Sequence, residues 1–292
     1  MMNISSNQLE AFYAVARSLS FSKGAALIHV TQSAVSQRIS ALEENLGTSL
    51  FIRDRAKMKL TPTGEKLLRY CQSYEQNENE LLSELKVTDV KSKSLSLSGE
   101  IRIGGFSSIS RSAIVPALAP LLQKHPEVGF TLVTKELTDL LSILKSGEVD
   151  FIITNKIPKN HNLEAISLGY EENVLVQSKK YKNSNLFLDH DSEDVTTSSY
   201  FRLLKKAQHN EIYKIKRRYV DDVYGLIDGV RFGLGQAVLP KHLIIDEKDF
   251  TIVSPQTILK VPLYLSFYKQ SYYGKLHSAV VDAIGEYFKR HF

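Results

Sequence analysis

The chain has 292 residues, enough for two or three modest domains with apolar material for their cores. Thirty-seven Lys and Arg against 32 Asp and Glu leave a formal charge of +5 and a pI near 9.0, which permits a nucleic-acid partner without demanding one. The single cysteine, Cys71, excludes an intramolecular disulfide. There is no apolar leader and no run of about 18 apolar residues, so a cytoplasmic protein without a membrane partner is expected.

Leu9, Phe12, Val15 and Ala16 form the apolar face of a first helix. Phe21 and Ser22 read as hydrophobic staple and N-cap of a second, whose small Ala25 and Ala26 suit a close helix approach. Thr31 is a candidate cap for a third helix, which Gly47 ends. In that helix Val35, Ile39, Leu42 and Leu46 recur four, three and four apart and share one face. With residues about 100° apart, Ser33, Gln37 and Ser40 fall opposite this seam, and Ser36 and Arg38 flank it. A small, uncharged or basic face rich in hydrogen-bonding groups suits a helix that enters a DNA major groove. Three-helix bundles imitate the same pattern, so the flanking sequence matters.

Leu50 and Phe51 open an apolar strand, after which Arg55, Lys57 and Lys59 alternate with Ala56, Met58 and Leu60. Period two with the basic residues on one face describes either a wing along a DNA backbone or a solvated hairpin. Thr61-Pro62 starts a long helix running to about Val87. Along it Leu67, Cys71, Tyr74, Glu78, Leu81 and Leu85 alternate four and three as a coiled-coil seam does, and only Glu78 interrupts. A second copy of the helix is the economical partner, although Cys71 by itself reads first as a buried small apolar residue. Residues 1–60 carry seven Lys and Arg against four acids, and residues 61–90 carry three against six. Phosphate contact is therefore expected of the head alone.

Residues 3 to 87 resemble the winged helix-turn-helix and linker helix of the LysR-type transcriptional regulators. Leu9, Phe12 and Val15, then SFSKGAALIHVTQSAVSQRISALEENLG, then LFIRDRAKMKLTPTGEKLL carry the resemblance. It implies paired linker helices, a homodimer or a homotetramer built as a dimer of dimers, and double-stranded DNA and RNA polymerase as partners. It also implies a structural pair between Arg53 and Glu43. The expected DNA-binding residues are Gln32, Ser33, Ser36, Gln37 and Arg38, with Arg55, Lys57 and Lys59 on phosphate.

Lys91 to Ser98 reads as a serine-rich linker. Beyond it strands near 101–106, 130–133 and 149–153 alternate with helices, which implies a parallel α/β sheet. A second such unit spans about residues 160–256, with a basic strand at 214–220 and a helix–turn–strand in GLIDGVRFGLGQAVLP. Leu263 to Phe267 and the following helix return to the first unit. GEIRIGGFSS, LKSGEVDFIIT and GLGQAVLP are similar to the family's effector-binding region, which has two lobes and a periplasmic-binding-protein-like fold. The expected architecture is thus α/β, with an α-rich winged helix-turn-helix head over 1–61, a linker helix over 62–90 and an effector region over 91–292. Lobe I covers about 99–158 and 262–292, and lobe II about 159–261.

Ligands of open α/β sheets bind beyond the carboxyl ends of the strands. The candidates there are Ser107 and Ser108, Thr154 and Asn155, and, by the resemblance, Thr138. The two serines either hold a carboxylate or merely cap the helix they open. In the second unit the strand end brings Asp189, His190 and Asp191, then Glu193 and Asp194. This acidic run is either a solvated loop or the cation-binding end of a site for a basic amino acid. The stretch FLDHDSED is faintly similar to the arginine- and lysine-responsive members of the family. Catalysis is not expected: Ser20 to Lys23 matches S-x-x-K without companion motifs, and no phosphate-loop, nucleophile-elbow or zinc-protease string occurs. The eight histidines lack metal-ligand spacing, so neither metal nor cofactor is expected. A stand-alone solute-binding protein is the rival reading, against which the N-terminal head argues.

Overall fold

The computed structural model describes residues 4–53, 58–85, 97–181, 185–208, 216–245, 248–270 and 273–292. Helix α1 (Ser6–Ser18) opens on a reciprocal cap, in which Ser5 Oγ accepts the Gln8 N–H and Gln8 Oε1 accepts the Ser5 N–H. Helix α2 (Phe21–Leu27) is capped by Ser20, whose Oγ accepts the Lys23 N–H at 3.3 Å. The cap expected at Ser22 thus lies two residues earlier. The reason is that Phe21 is already helical, with its ring packed 5.8 Å from that of Phe51. Gly24 lets α2 approach α1, because a Cβ there would meet Val15 Cγ2 at 2.6 Å. Helix α3 (Gln32–Leu46) is capped by Thr31, whose Oγ1 accepts the Ala34 N–H, and Gly47 ends it at φ 64°.

Strands β1 (Phe51–Arg53) and β2 (Met58–Leu60) form an antiparallel hairpin with Ile52 opposite Lys59. Glu43 Oε1 accepts the backbone N–H of Leu50 at 2.6 Å and so anchors the hairpin to α3. This carboxylate was expected to pair with Arg53, whose side chain lies outside the described residues. Helix α4 (Pro62–Leu85) starts where Thr61 Oγ1 accepts the Gly64 N–H and donates to the Ser49 carbonyl. Leu68 and Cys71 on α4 are buried with Phe12, Val15, Ile39 and Leu42 in the core of the head. Residues 86–96, with most of the expected linker, lie outside the described residues.

The remainder is two-lobed and α/β. Lobe I holds β3 (Gly99–Gly105), β4 (Val128–Thr134) and β5 (Phe151–Thr154), which are parallel. A continuous helical run follows β3: α5 (Ser107–Ile109), one π turn (Ser110–Ile114) and α6 (Val115–Lys124). Helix α7 (Leu137–Lys145) joins β4 to β5. The 16-residue β6 (Leu163–Ser178) then leaves for lobe II, made of β7 (Leu186–Asp189), α8 (Thr196–Gln208), β8 (Lys216–Tyr219), α9 (Val223–Arg231), β9 (Gln236–Pro240), α10 (Lys241–Ile244) and β10 (Phe250–Ile252). Strand β11 (Leu259–Tyr268) and α11 (Lys275–His291) come back to lobe I, where β11 pairs with β5.

The sheet order is β4-β3-β5-β11-β6-β9-β7-β8, with β10 on β6. Within each lobe the pairs are parallel, as the alternation of strands and helices predicts. The sheet as a whole is mixed, because β6 and β11 run in opposite directions between the lobes and pair antiparallel with their neighbours. One apolar core joins Ile101, Ile103, Leu118 and Phe151 to Leu265, Ile284 and Phe288, and a second joins Val174, Val176, Leu188, Leu226, Val230 and Leu239. Helix α4 touches lobe I: Gln72 Nε2 donates to the Gly147 carbonyl at 3.2 Å, and the Arg69 guanidinium lies 3.9 Å over the Tyr268 ring. Among the described residues no helix is long and apolar enough to cross a membrane.

Replacing Gly24 by Val forces α1 and α2 apart, because the clash involves Val15 backbone as well as its side chain. Thermal unfolding of Gly24→Val should show the head destabilised by about 1–3 kcal/mol. An unchanged midpoint would contradict the close approach.

Candidate DNA interface and effector cleft

Helix α3 divides its residues cleanly. Val35, Ile39 and Leu42 are at most 1 % exposed, whereas Gln32, Ser33, Gln37 and Ser40 are exposed. The seam is consumed by α1 and α2, so the opposite face is left to solvent over the whole N-terminal half. Ser36 and Arg38 are half-buried on the flanks, and Arg38 Nη1 lies 3.7 Å from Glu10 of α1. That contact leaves Arg38 beside the exposed face with part of its charge already engaged. The Ser33 hydroxyl is 3.0 Å from Thr31 Oγ1 at the helix start. On the hairpin Lys59 is exposed, while Arg55 and Lys57 lie outside the described residues.

The expected dimerisation seam on α4 is split. Leu67 packs against the head and Cys71 is buried in it, with its thiol pushed up to about 12 by burial and then by the Glu75 charge. Tyr74 and Leu81 are more than half exposed, and Tyr70 stacks on Tyr74 at 6.5 Å. The side chain of Leu85 lies outside the described residues.

In the α/β region Ser107 and Ser108 follow the carboxyl end of β3, and Thr154 and Asn155 that of β5. Phe106 occupies the N-cap position of α5 without a side-chain bond, so neither serine caps this helix. Instead the buried Ser108 Oγ donates to Oε1 of Glu171 at 2.7 Å. Thr154 is buried and its hydroxyl donates to the Lys156 carbonyl. Thr138, in the first turn of α7, is exposed.

The acidic run does three separate things. Asp189 is 1 % exposed, accepts the Thr197 hydroxyl and lies 3.2 Å from Arg217 Nη1. Burial raises its carboxyl above the usual range against the pull of those two partners. Asp194 accepts the N–H groups of His190 and Thr196 and so orders the start of α8, while exposed Asp191 accepts the Glu193 N–H. Most of the negative charge at this strand end is therefore committed within the chain.

Glu171 is the residue that sequence reasoning missed. It lies on β6, and its carboxyl is pushed up to about 7 by burial, offset in part by hydrogen bonds from Ser108 and Asn173. Nearby, Ser112 Oγ and His242 Nε2 are 2.9 Å apart across the lobes, and Arg111 lies 4.9 Å over the Tyr224 ring. An acid in a mostly apolar strand looks like a solvated alternate position until the partner strands are known.

A head with one exposed polar helix face, joined by a long helix to a two-lobed α/β region, defines a ligand-controlled DNA-binding protein. The chain belongs to the LysR family of bacterial transcriptional regulators. Residues 6–65 match the bacterial regulatory helix-turn-helix protein model of the lysR family, and residues 95–289 match the LysR substrate binding domain. It is 28 % identical over 249 residues to the HTH-type transcriptional regulator YofA of Bacillus subtilis, covering 82 % of each chain. HdfR of Yersinia pestis is 30 % identical over 166 residues, covering 56 % of this chain and 53 % of that one. Among solved structures, ArgP of Mycobacterium tuberculosis superposes with a TM-score of 0.77 at 22 % identity, covering 98 % of both chains. Full-length LysG of Corynebacterium glutamicum with bound effector Arg gives 0.74 at 18 % identity, covering 97 % of both. The protein is thus a LysR-type DNA-binding transcriptional regulator with an effector-binding region.

With its folded value above its unfolded one, Glu171 holds its proton more firmly in the native state. Its contribution to stability is present below about pH 4 and is lost as pH rises through about 7. Glu171→Gln should remove this loss, on the order of 3 kcal/mol at most, and equal urea-unfolding slopes against pH for both proteins would refute it.

Proposed function

We propose that the chain acts in the cytoplasm, without catalytic activity, as a homodimer or homotetramer that reads an inverted-repeat DNA site and acts on RNA polymerase. Gln32, Ser33, Ser36, Gln37 and Arg38 form the reading face, and Arg55, Lys57 and Lys59 lie along phosphate. The observation that carries this assignment is the division of α3 into a seam of buried Val35, Ile39 and Leu42 and an exposed polar face. Tyr74, Leu81 and Leu85 join the linker helices of two copies, and the exposed Tyr70 extends that stripe. Leu67 and Cys71, packed in the head, brace the helix from within.

The effector reading is a basic amino acid bound between the lobes, with its carboxylate toward Ser107, Ser108, Thr154 and Asn155. Thr138 lies at the rim, and the loop of Asp189, His190 and Asp191 faces the side chain. The likeness to LysG, which is described with arginine as its effector, supports this choice over other metabolites. Closure of the lobes on the ligand shifts the angle between paired heads and favours one DNA-bound arrangement.

Fluorescence titration of operator and random duplexes tests the DNA face. Gln37→Ala should lose about tenfold or more in discrimination, with little change on random duplex. Lys59→Ala should weaken both duplexes alike and lower the salt slope by about one. The reverse pattern would exchange the two roles. Calorimetry with lysine and arginine against uncharged and acidic metabolites tests the ligand class, and heat from the latter alone would reject a basic effector.

A further inference from the structure

We infer that Glu171 receives the α-ammonium group of an α-amino-acid effector. The inference rests on the interlobe cleft being the effector site, and not on the effector's side chain being basic.

Alternation along β6 places Glu171 and Asn173 on one face and Glu172 on the other. Glu172 meets Lys241 at 3.1 Å and Lys260 at 3.3 Å, as a surface carboxylate does. Glu171, only 5 % exposed, faces neutral groups: the Ser108 hydroxyl and Asn173, with Val261 beside it on β11. A buried carboxyl with no countercharge among the described residues is costly, and a group so perturbed is a candidate for a binding role.

Its position fits that purpose. Ser108 lies in α5, just after the carboxyl end of β3 in lobe I, and Asn173 pairs with Pro240 at the carboxyl end of β9 in lobe II. Glu171 therefore sits where the strand ends of the two lobes converge. It is one hydrogen bond from Ser108, a residue assigned to the ligand's carboxylate. An α-amino acid carries its anion and cation on one carbon, so their two receptors must be neighbours in the site, each within one hydrogen-bond length of the ligand. The ligand ammonium replaces Ser108 as donor to Glu171 Oε1, which frees the Ser108 hydroxyl to donate to the ligand carboxylate.

The exchange carries a proton. Free Glu171, held near 7 by burial, is mostly protonated at pH 6, and an ammonium beside it favours the carboxylate, so its proton leaves to solvent. On α10 at this junction, His242 is lowered from its ordinary value by burial, and Lys241 is turned to Glu172. Arg111 faces Tyr224 of α9, and Glu172 faces the two lysines.

Calorimetry of the full chain with arginine, lysine, glutamine and glutamate, each beside its Nα-acetyl derivative, tests this in two buffers of different protonation enthalpy. The amino acid that binds should release close to one proton at pH 6.0 and almost none at pH 8.0, and its Nα-acetyl form should not bind. Glu171→Gln should bind about ten- to hundredfold more weakly and release no proton, while Glu172→Gln should match the wild type. Where Glu171→Gln does not fold, the wild-type proton count and the acetyl comparison decide. Equal binding of the acetylated form, or binding without proton release, overturns the inference. Binding of glutamine or glutamate alone, with release, overturns the basic side chain and leaves Glu171 in its role. No heat from any free amino acid overturns both.

Discussion

The structure depends on two long strands that lie side by side and belong to both lobes. β6 and β11 pair residue by residue from Leu259 with Asn173 to Tyr268 with Leu163, with one register shift at Leu263 and Tyr264. At one end β11 adds to β5 of lobe I, and at the other β6 adds to β9 of lobe II. Any movement of one lobe against the other must be absorbed along this ladder, because no other strand is shared among the described residues. Gly169, at φ 102° beside the register shift, is where the backbone can take up such a bend at least steric cost.

The same ladder reaches the DNA-binding head. β11 ends at Tyr268, whose ring carries the Arg69 guanidinium of α4. One turn further along that helix Gln72 holds the Gly147 carbonyl, and Tyr13 of α1 donates to Glu75 at 2.6 Å. The strand that passes beside Glu171 thus ends on the helix that supports α3. These are contiguous packed contacts, the physical substrate through which a cleft can bias the placement of a head.

The α/β region carries two kinds of buried carboxyl. Asp189 is buried with a guanidinium and a hydroxyl at hand, so its charge is matched inside the fold. Glu171 is buried with neutral partners and keeps its proton to near neutral pH.

The sequence by itself determined the elements whose signals are local. The 3.6-residue recurrence of Val35, Ile39 and Leu42, the capping hydroxyls of Thr31 and Thr61 and the left-handed Gly47 each need no partner beyond a few residues, and the head was legible from them. The alternation of strand and helix likewise foretold two α/β lobes. Tertiary structure alone decided what distant segments share: the mixed sheet made by β6 and β11, the packing of Leu67 and the burial of Cys71 against the head, and the engagement of Asp189 by Thr197 and Arg217. It also decided Glu171, because whether a carboxyl on an exposed-looking strand position meets water or Ser108, 63 residues away, depends on which strands close over it. Periodicity reports the face a residue takes; only packing reports what that face meets.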